Sequence, residues 1–210
     1  MAFIAILLAY PSFVRIYDSD RLFLKEDTRT QAYKWIKDNI EPGSRIILDA
    51  ISSGFPRLEK DKEQIKESQK YFGSTSFAKP ESADQAKWQF MLDNPRYPDK
   101  TYYLYYLRGI TKRGFLSIYP CINVQYNEVQ DKSPDYIVLS KILTDKAHVD
   151  FVKDVERHAV PVKAFSPYKD GVSRVESAEV SDVPAAAFSA KELSDRESYG
   201  PYIRIYKVKR

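Results

Sequence analysis

The groups able to do acid–base, nucleophilic or metal chemistry are few and scattered in this 210-residue chain. His148 and His158 stand ten residues apart in one amphipathic stretch. On a helix that spacing is about 15 Å of axial rise, so the two imidazoles cannot share a metal ion. Each reads as a surface or helix-end residue, and the dipole at a helix C-terminus already accounts for His158. Cys121 is the single cysteine; it has no internal disulfide partner and no Cys or His at ligand spacing, and it reads as a buried small hydrophobe. Serines are plentiful, but no G-x-S-x-G elbow accompanies them. The 7 glycines form neither a G-x-G-x-x-G nor a Walker pattern. No catalytic, cofactor-binding or metal-ligating residue is therefore expected. Asp49 stands at the end of a predicted strand, the position from which α/β proteins present functional groups. An aspartate there also opens a turn, which is the preferred reading. Tyr102, Tyr103, Tyr105 and Tyr106, set around Leu104, are the one candidate binding group. Their hydroxyls and ring faces suit contact with a glycan, and they suit a protein core or a membrane-facing surface equally.

The best-specified element near these groups is DTRTQAYKWIKDNIEPGSRIILDA, Asp27 to Ala50. Thr28 with Gln31 three residues on has a capping-box pattern, predicting a helix from about Arg29. Ala32, Trp35, Ile36 and Ile40 form its apolar stripe, with Trp35 as the main anchor. Glu41-Pro42-Gly43-Ser44 ends the helix. Ile46, Ile47 and Leu48 then read as a strand covered on both faces, and Ile51 to Pro56 as the loop at its carboxyl end.

Further along, the mixed-charge run from Arg57 to Lys70 reads as a solvated helix or loop. Ser82 caps a second helix that ends at Asn94-Pro95, with Ala83, Ala86, Trp88, Phe90 and Met91 as its apolar surface. The block TYYLYYLRG fits a helix ending at Gly109 or a strand, and its period does not decide between them. Phe115, Ile118 and Tyr119, then Ile122, Val124 and Tyr126, read as short strand-like segments. Asp135 to Ser140 is a predicted strand, Thr144 caps a helix with Ala147, Phe151, Val152 and Val155 on its apolar face, and Val160 to Phe165 is a returning strand. Together they make a βαβ unit whose strands are parallel. Ser166 to Tyr199 is expected to be irregular, and Gly200-Pro201 introduces a closing strand.

The chain is thus expected to be α/β: a small, mainly parallel sheet flanked by helices, with an irregular insertion and an N-terminal hydrophobic helix stump. Basic residues number 33 and acidic ones 29, giving a net charge of +4. They are interspersed without a basic stripe, which disfavours nucleic-acid binding. The opening MAFIAILLAY, continued by Pro11, Ser12, Phe13 and Val14, is uncharged until Arg15. It falls short of the roughly 20 apolar residues that span a bilayer and lacks the basic flank and cleavage site of a signal peptide. It reads as the end of a transmembrane helix over residues 1–16, followed by a soluble domain over 17–210, with Tyr10, Phe13 and Tyr17 near the lipid–water boundary.

Taken together, the apolar start, DTRTQAYKWIKDNIEPGSRI, SPDYIVLS and the terminal GPYIRIYKV resemble the C-terminal extracytoplasmic end of GT-C class glycosyltransferases. These are the multi-spanning enzymes that use polyprenyl-phosphate sugars, near the protein O-mannosyltransferases and aminoarabinose transferases. The resemblance runs through three short blocks and none of the middle from Ile51 to Lys132. It implies a soluble domain on the outer side of the cell membrane. The sugar donor, and a glycan, protein or lipid acceptor, would be engaged through a catalytic membrane part that the blocks do not include. No catalytic residue carries over, because the acidic residue that activates the acceptor lies in an early loop of that membrane part. Two other readings compete: a membrane-tethered module that binds glycan or protein through the tyrosine-rich middle, and a stand-alone α/β enzyme with a pocket beyond Asp49 and Ser140.

Overall fold

The computed structural model describes residues 2–49, 55–73, 83–108, 121–123, 125–140, 146–170 and 190–209. Six strands among them lie side by side in the order Cys121–Asn123 (β3), Tyr103–Arg108 (β2), Arg45–Asp49 (β1), Tyr136–Leu139 (β4), Ile203–Val208 (β6) and Ala159–Phe165 (β5). The first four are mutually parallel, and β6 runs antiparallel to both of its neighbours. The fold is α/β with a mainly parallel sheet, as the alternation of elements implies.

The helix Thr28–Asn39 (α2) begins one residue earlier than the capping-box pattern predicts, with Asp27 as its N-cap. The Asp27 carboxylate accepts from the Arg29 backbone N–H at 2.7 Å and is gripped by the Arg29 guanidinium, placing negative charge at the positive end of the helix. Thr28 is fully buried and its hydroxyl donates to the Pro201 carbonyl at 2.8 Å, so a tertiary acceptor takes the group that sequence assigned to the cap. Gln31 reaches back to the carbonyl of Glu26. The helix stops at Ile40, and Gly43, at φ 79°, turns the chain into β1 as expected.

The sheet is covered on both faces. On one face Ala32, Ile36 and Ile40 of α2 pack on Ile46, Leu48, Leu104, Val138, Ile203 and Ile205. Trp35 sits only half-buried at the margin, so the aliphatic residues anchor the helix. The other face carries Tyr126–Asp131 (α5) and Lys146–His158 (α6), whose Val129, Phe151, Val152 and Val155 cover Ile47, Leu107, Ile137 and Leu139. Each such fully buried aliphatic side chain contributes about 1.5–3 kcal/mol. Tyr126 opens α5 instead of continuing a strand, whereas TYYLYYLRG resolves as β2. Thr144, Phe115, Ile118, Tyr119 and Val124, singled out above, lie outside the described residues.

The charged run is more than a solvated surface. Lys62–Gly73 (α3) buries Ile65 completely and Gln64 almost completely. The Gln64 side chain donates to the Leu104 carbonyl at 2.7 Å and accepts from the Leu104 N–H at 2.9 Å. One amide side chain thereby stands in for a neighbouring strand where β3 does not yet flank β2. Ala83–Asp93 (α4) packs on α3. Of its expected apolar surface Trp88 is buried, while Ala86 and Phe90 face outward; Ser82 lies outside the described residues.

The expected βαβ unit is split. β4 and β5 point the same way, but β6 is inserted antiparallel between them, and β5, apart from Ala159, is an exposed edge. The stretch before β6 is not wholly irregular: Ala190–Asp195 (α7) is helical, and Tyr168 bridges to Arg196. Residues 171–189 lie outside the described set. Ala2–Phe23 (α1) is one continuous helix that packs at its C-terminal end against α7 and Tyr199.

Gly200, at φ 100°, lies so close to α2 that a Cβ there would meet Thr28 Oγ1 at 2.1 Å and Asp27 Oδ1 at 2.7 Å. Gly43 has open space around it. Gly200→Ala is therefore expected to lower stability by about 2–4 kcal/mol through strain and overpacking, and Gly43→Ala by about 1–2 kcal/mol through backbone strain alone. Urea unfolding of both variants beside the parent checks the difference.

Candidate functional site

The tyrosines proposed to contact glycan alternate across a strand, because β2 sends successive side chains to opposite faces. Tyr102 is completely buried, its hydroxyl directed at the Ile36 carbonyl at 3.4 Å, and Tyr106 lies in the same core layer. The Lys60 ammonium sits over the Tyr106 ring, 5.7 Å from its centroid. Tyr103 and Tyr105 are half-buried on the opposite face, Tyr105 against the α5–α6 layer. The four rings therefore do not share one face of the strand: Tyr102 and Tyr106 belong to the core, and Tyr103 and Tyr105 are half-buried on the other side. Burial first, then Glu59, holds the Tyr102 hydroxyl up to about 12. Burial, then Asp61 and the neighbouring glutamates, raises Tyr103 as well.

Asp49 and Ser140 do meet. Both are buried at the carboxyl edge of β1 and β4, where the Ser140 hydroxyl donates to the Asp49 carbonyl at 3.0 Å. Asp49 is thus a buried strand-end residue. The residues that follow both positions, including the expected loop 51–54, lie outside the described set. Both histidines belong to α6, and the His148 side chain lies outside the described residues. His158 is exposed in the last turn, its Nδ1 2.8 Å from the Asp154 carbonyl and its ring stacked on Tyr126 at 4.6 Å. Cys121 opens β3, its side chain outside the described set. Among the described residues no three His, Cys, Asp or Glu side chains are grouped to hold a metal.

Among the described residues, two further features could act on another molecule. One is α1. Tyr10, Phe13, Ile16 and Tyr17 are 57–70% exposed, and at helical spacing they fall, with Phe23, in an arc of roughly 140°. The C-terminal end of the same helix is clamped: Leu22 is buried against Leu193, the Ser19 and Tyr199 hydroxyls lie 3.1 Å apart, and Arg21 donates to the Arg196 carbonyl at 3.2 Å. No helix among the described residues is long and apolar enough to cross a membrane.

The second feature is a cleft of about 510 Å³ at the opposite end of the sheet, where β1 and β4 begin and β6 ends. Arg45, Tyr126, Asp135, Arg157, His158 and Lys209 line it. No motif marks this group, since its members come from four separated segments that only the assembled sheet brings together. From the sequence His158 reads as a helix-end residue, and Tyr126 and Asp135 only as members of strands.

The buried tyrosines give a test of the core assignment. Tyr97, Tyr102 and Tyr206 are each pushed up to about 12, chiefly by burial. The folded chain therefore keeps protons that the unfolded chain releases above the ordinary value of 10.0. Their contribution to stability is complete below that pH and is lost as pH rises toward 12. Ultraviolet titration of tyrosinate is expected to show a late-ionising class that merges into the normal one on unfolding; ionisation of every tyrosine near 10 in the folded chain would contradict the core placement. Comparison of the chain with protein-family models, with curated proteins and with solved structures finds no match.

Proposed function

We infer that this chain is a soluble α/β domain held at the outer face of a cell membrane by α1. In this reading it is the extracytoplasmic tail of a glycosyltransferase that draws sugar from a polyprenyl-phosphate donor. The domain supports the transfer and does not perform it; donor and acceptor are engaged by a membrane-embedded part of the enzyme. The observation that carries the reading is the division of α1 into a clamped base and a projecting aromatic face. An apolar face of this kind is unfavourable in water, and amphipathic tyrosine with phenylalanine and isoleucine is the composition that settles at a lipid–water boundary.

The blocks behind the family resemblance add support. They occupy α2–β1, β4 and β6, and these three strands are consecutive neighbours in the sheet. Segments far apart in sequence thus form one folding unit, as expected if the likeness is to a domain and not to chance words. The binding-module alternative draws on the tyrosine-rich middle, two of whose rings, Tyr102 and Tyr106, are buried in the core, which favours the domain reading.

Flotation with phospholipid vesicles tests the membrane half. The chain is expected to float with vesicles, and the triple variant Tyr10→Ser, Phe13→Ser, Tyr17→Ser to lose at least about tenfold in partitioning while keeping its unfolding midpoint. A chain that stays in the aqueous fraction, or a triple variant that floats unchanged, would sink this half. For the enzymatic half, incubation with a polyprenyl-phosphate sugar is expected to yield no transfer by this chain. The coding sequence upstream of Met1 is expected to continue in frame through further apolar spans; a stop codon there would remove the reading.

A further inference from the structure

The cleft at the start of β1 and β4 has the makings of a ligand site unrelated to α1. Its lining carries the cationic side chains Arg45, Arg157 and Lys209 against one carboxylate, Asp135. That carboxylate accepts from the first N–H of β1, on Arg45, at 2.9 Å, so part of its charge is spent on joining β1 to β4. The C-terminus of α6, which would repel an anion, is already covered. The Lys209 N–H donates to the His158 carbonyl at 2.9 Å, the Lys209 ammonium to the Arg157 carbonyl at 3.0 Å, and His158 Nδ1 sits 2.8 Å from the Asp154 carbonyl. With the Asp154, Arg157 and His158 carbonyls engaged, the negative end of the dipole is partly offset where the cleft opens.

The Arg157 guanidinium pairs with Asp154 at 2.9 Å, but the two side chains are 69% and 37% exposed. Such a pair is worth no more than about 1 kcal/mol, so a better-placed dianion can take its place. Arginines from two different segments offer planar forks that match phosphate oxygens. Beside them the exposed His158 ring, stacked on Tyr126 with the two planes 24° apart, offers its outer face as an aromatic wall. The Tyr126 hydroxyl is held protonated by burial and then by Asp154, leaving a donor beside that wall. A volume of about 510 Å³ falls in the range of small-molecule sites.

We propose that this cleft binds a phosphomonoester of monosaccharide size, its phosphate on Arg45 and Arg157 and its body against Tyr126 and His158. A soluble ligand is favoured over a lipid headgroup by position. The clamp on α1 lies before the start of β6, at Tyr199, whereas the cleft lies at its end, roughly 17 Å away along a six-residue strand. The choice of a soluble ligand rests on the reading of α1 as the membrane-facing element, whereas the anion site itself does not.

Calorimetric titration of the full chain with a hexose 6-phosphate tests it, alongside the free hexose and inorganic phosphate. Saturable binding of the hexose phosphate below about 1 mM is expected, with inorganic phosphate weaker and free hexose silent. Arg45→Gln and Arg157→Gln are each expected to weaken binding at least about tenfold with unchanged thermal unfolding. Lys66→Gln, an exposed residue of α3, is expected to leave binding intact. No saturable binding, or binding untouched by both arginine changes, would overturn the site. Inorganic phosphate binding as tightly as the hexose phosphate would overturn the sugar-sized body. Phosphatidic acid vesicles captured through Arg45, with no response to the soluble ester, would overturn the assignment to a free ligand.

Discussion

The contact on which most of this architecture depends is the seat of α2's first turn on the residues leading into β6. The Thr28 N–H donates to the Tyr199 carbonyl at 3.0 Å and its hydroxyl to the Pro201 carbonyl at 2.8 Å. Gly200 fits between because it has no side chain to strike Thr28 or Asp27. The two hydrogen bonds are buried, where leaving either partner unmet would cost about 1–3 kcal/mol. They join residues more than 170 positions apart and deliver β6 into the sheet at a fixed height. The same junction sets α1, because Tyr199 is shared: its carbonyl serves α2 and its ring and hydroxyl face Phe23 and Ser19.

Placing β6 inside the sheet has consequences at both ends. It separates β4 from β5, so α6 crosses over an intervening antiparallel strand instead of linking neighbours. It also leaves β5 as an edge with Val160 and Val162 exposed, while the opposite flank of β2 is guarded by the Gln64 amide. At the far end, Lys209 caps α6 as β6 runs out. The cleft exists because three segments finish or begin within reach of that cap: β1 at Arg45, β4 after Asp135, and α6 at His158.

The chemistry-bearing side chains divide along the same lines. Asp49, Ser140, Tyr102 and Tyr106 sit in the covered interior, where hydrogen bonds and packing occupy them. Among the described residues, the aromatic face of α1 and the cationic lining of the cleft are exposed in organised groups. Neither is arranged as a nucleophile with a base. Both are arranged for binding, one for an apolar boundary and the other for an anion, and they lie at opposite ends of β6.

Local signals were enough to place α2, β1, α4, β4, α6 and β6, because capping residues, Pro-Gly punctuation and apolar period act within a few residues of one another. They also determined that the sheet is mainly parallel, since helices alternate with short apolar strands. The identity of the α2 cap escaped them: Asp27 and Thr28 can both cap, and the choice fell to a carbonyl at Pro201. So did the burial of α3, whose sparse apolar residues gain their weight only when Gln64 meets Leu104. The role of the tyrosines was undecidable from their period, because a strand buries both of its faces only when neighbours supply both layers. Strand order, the insertion of β6 and the cleft belong to the tertiary structure alone. They arise from contacts between segments tens of residues apart, and no single segment carries a record of which partner will satisfy its polar groups or cover its apolar face.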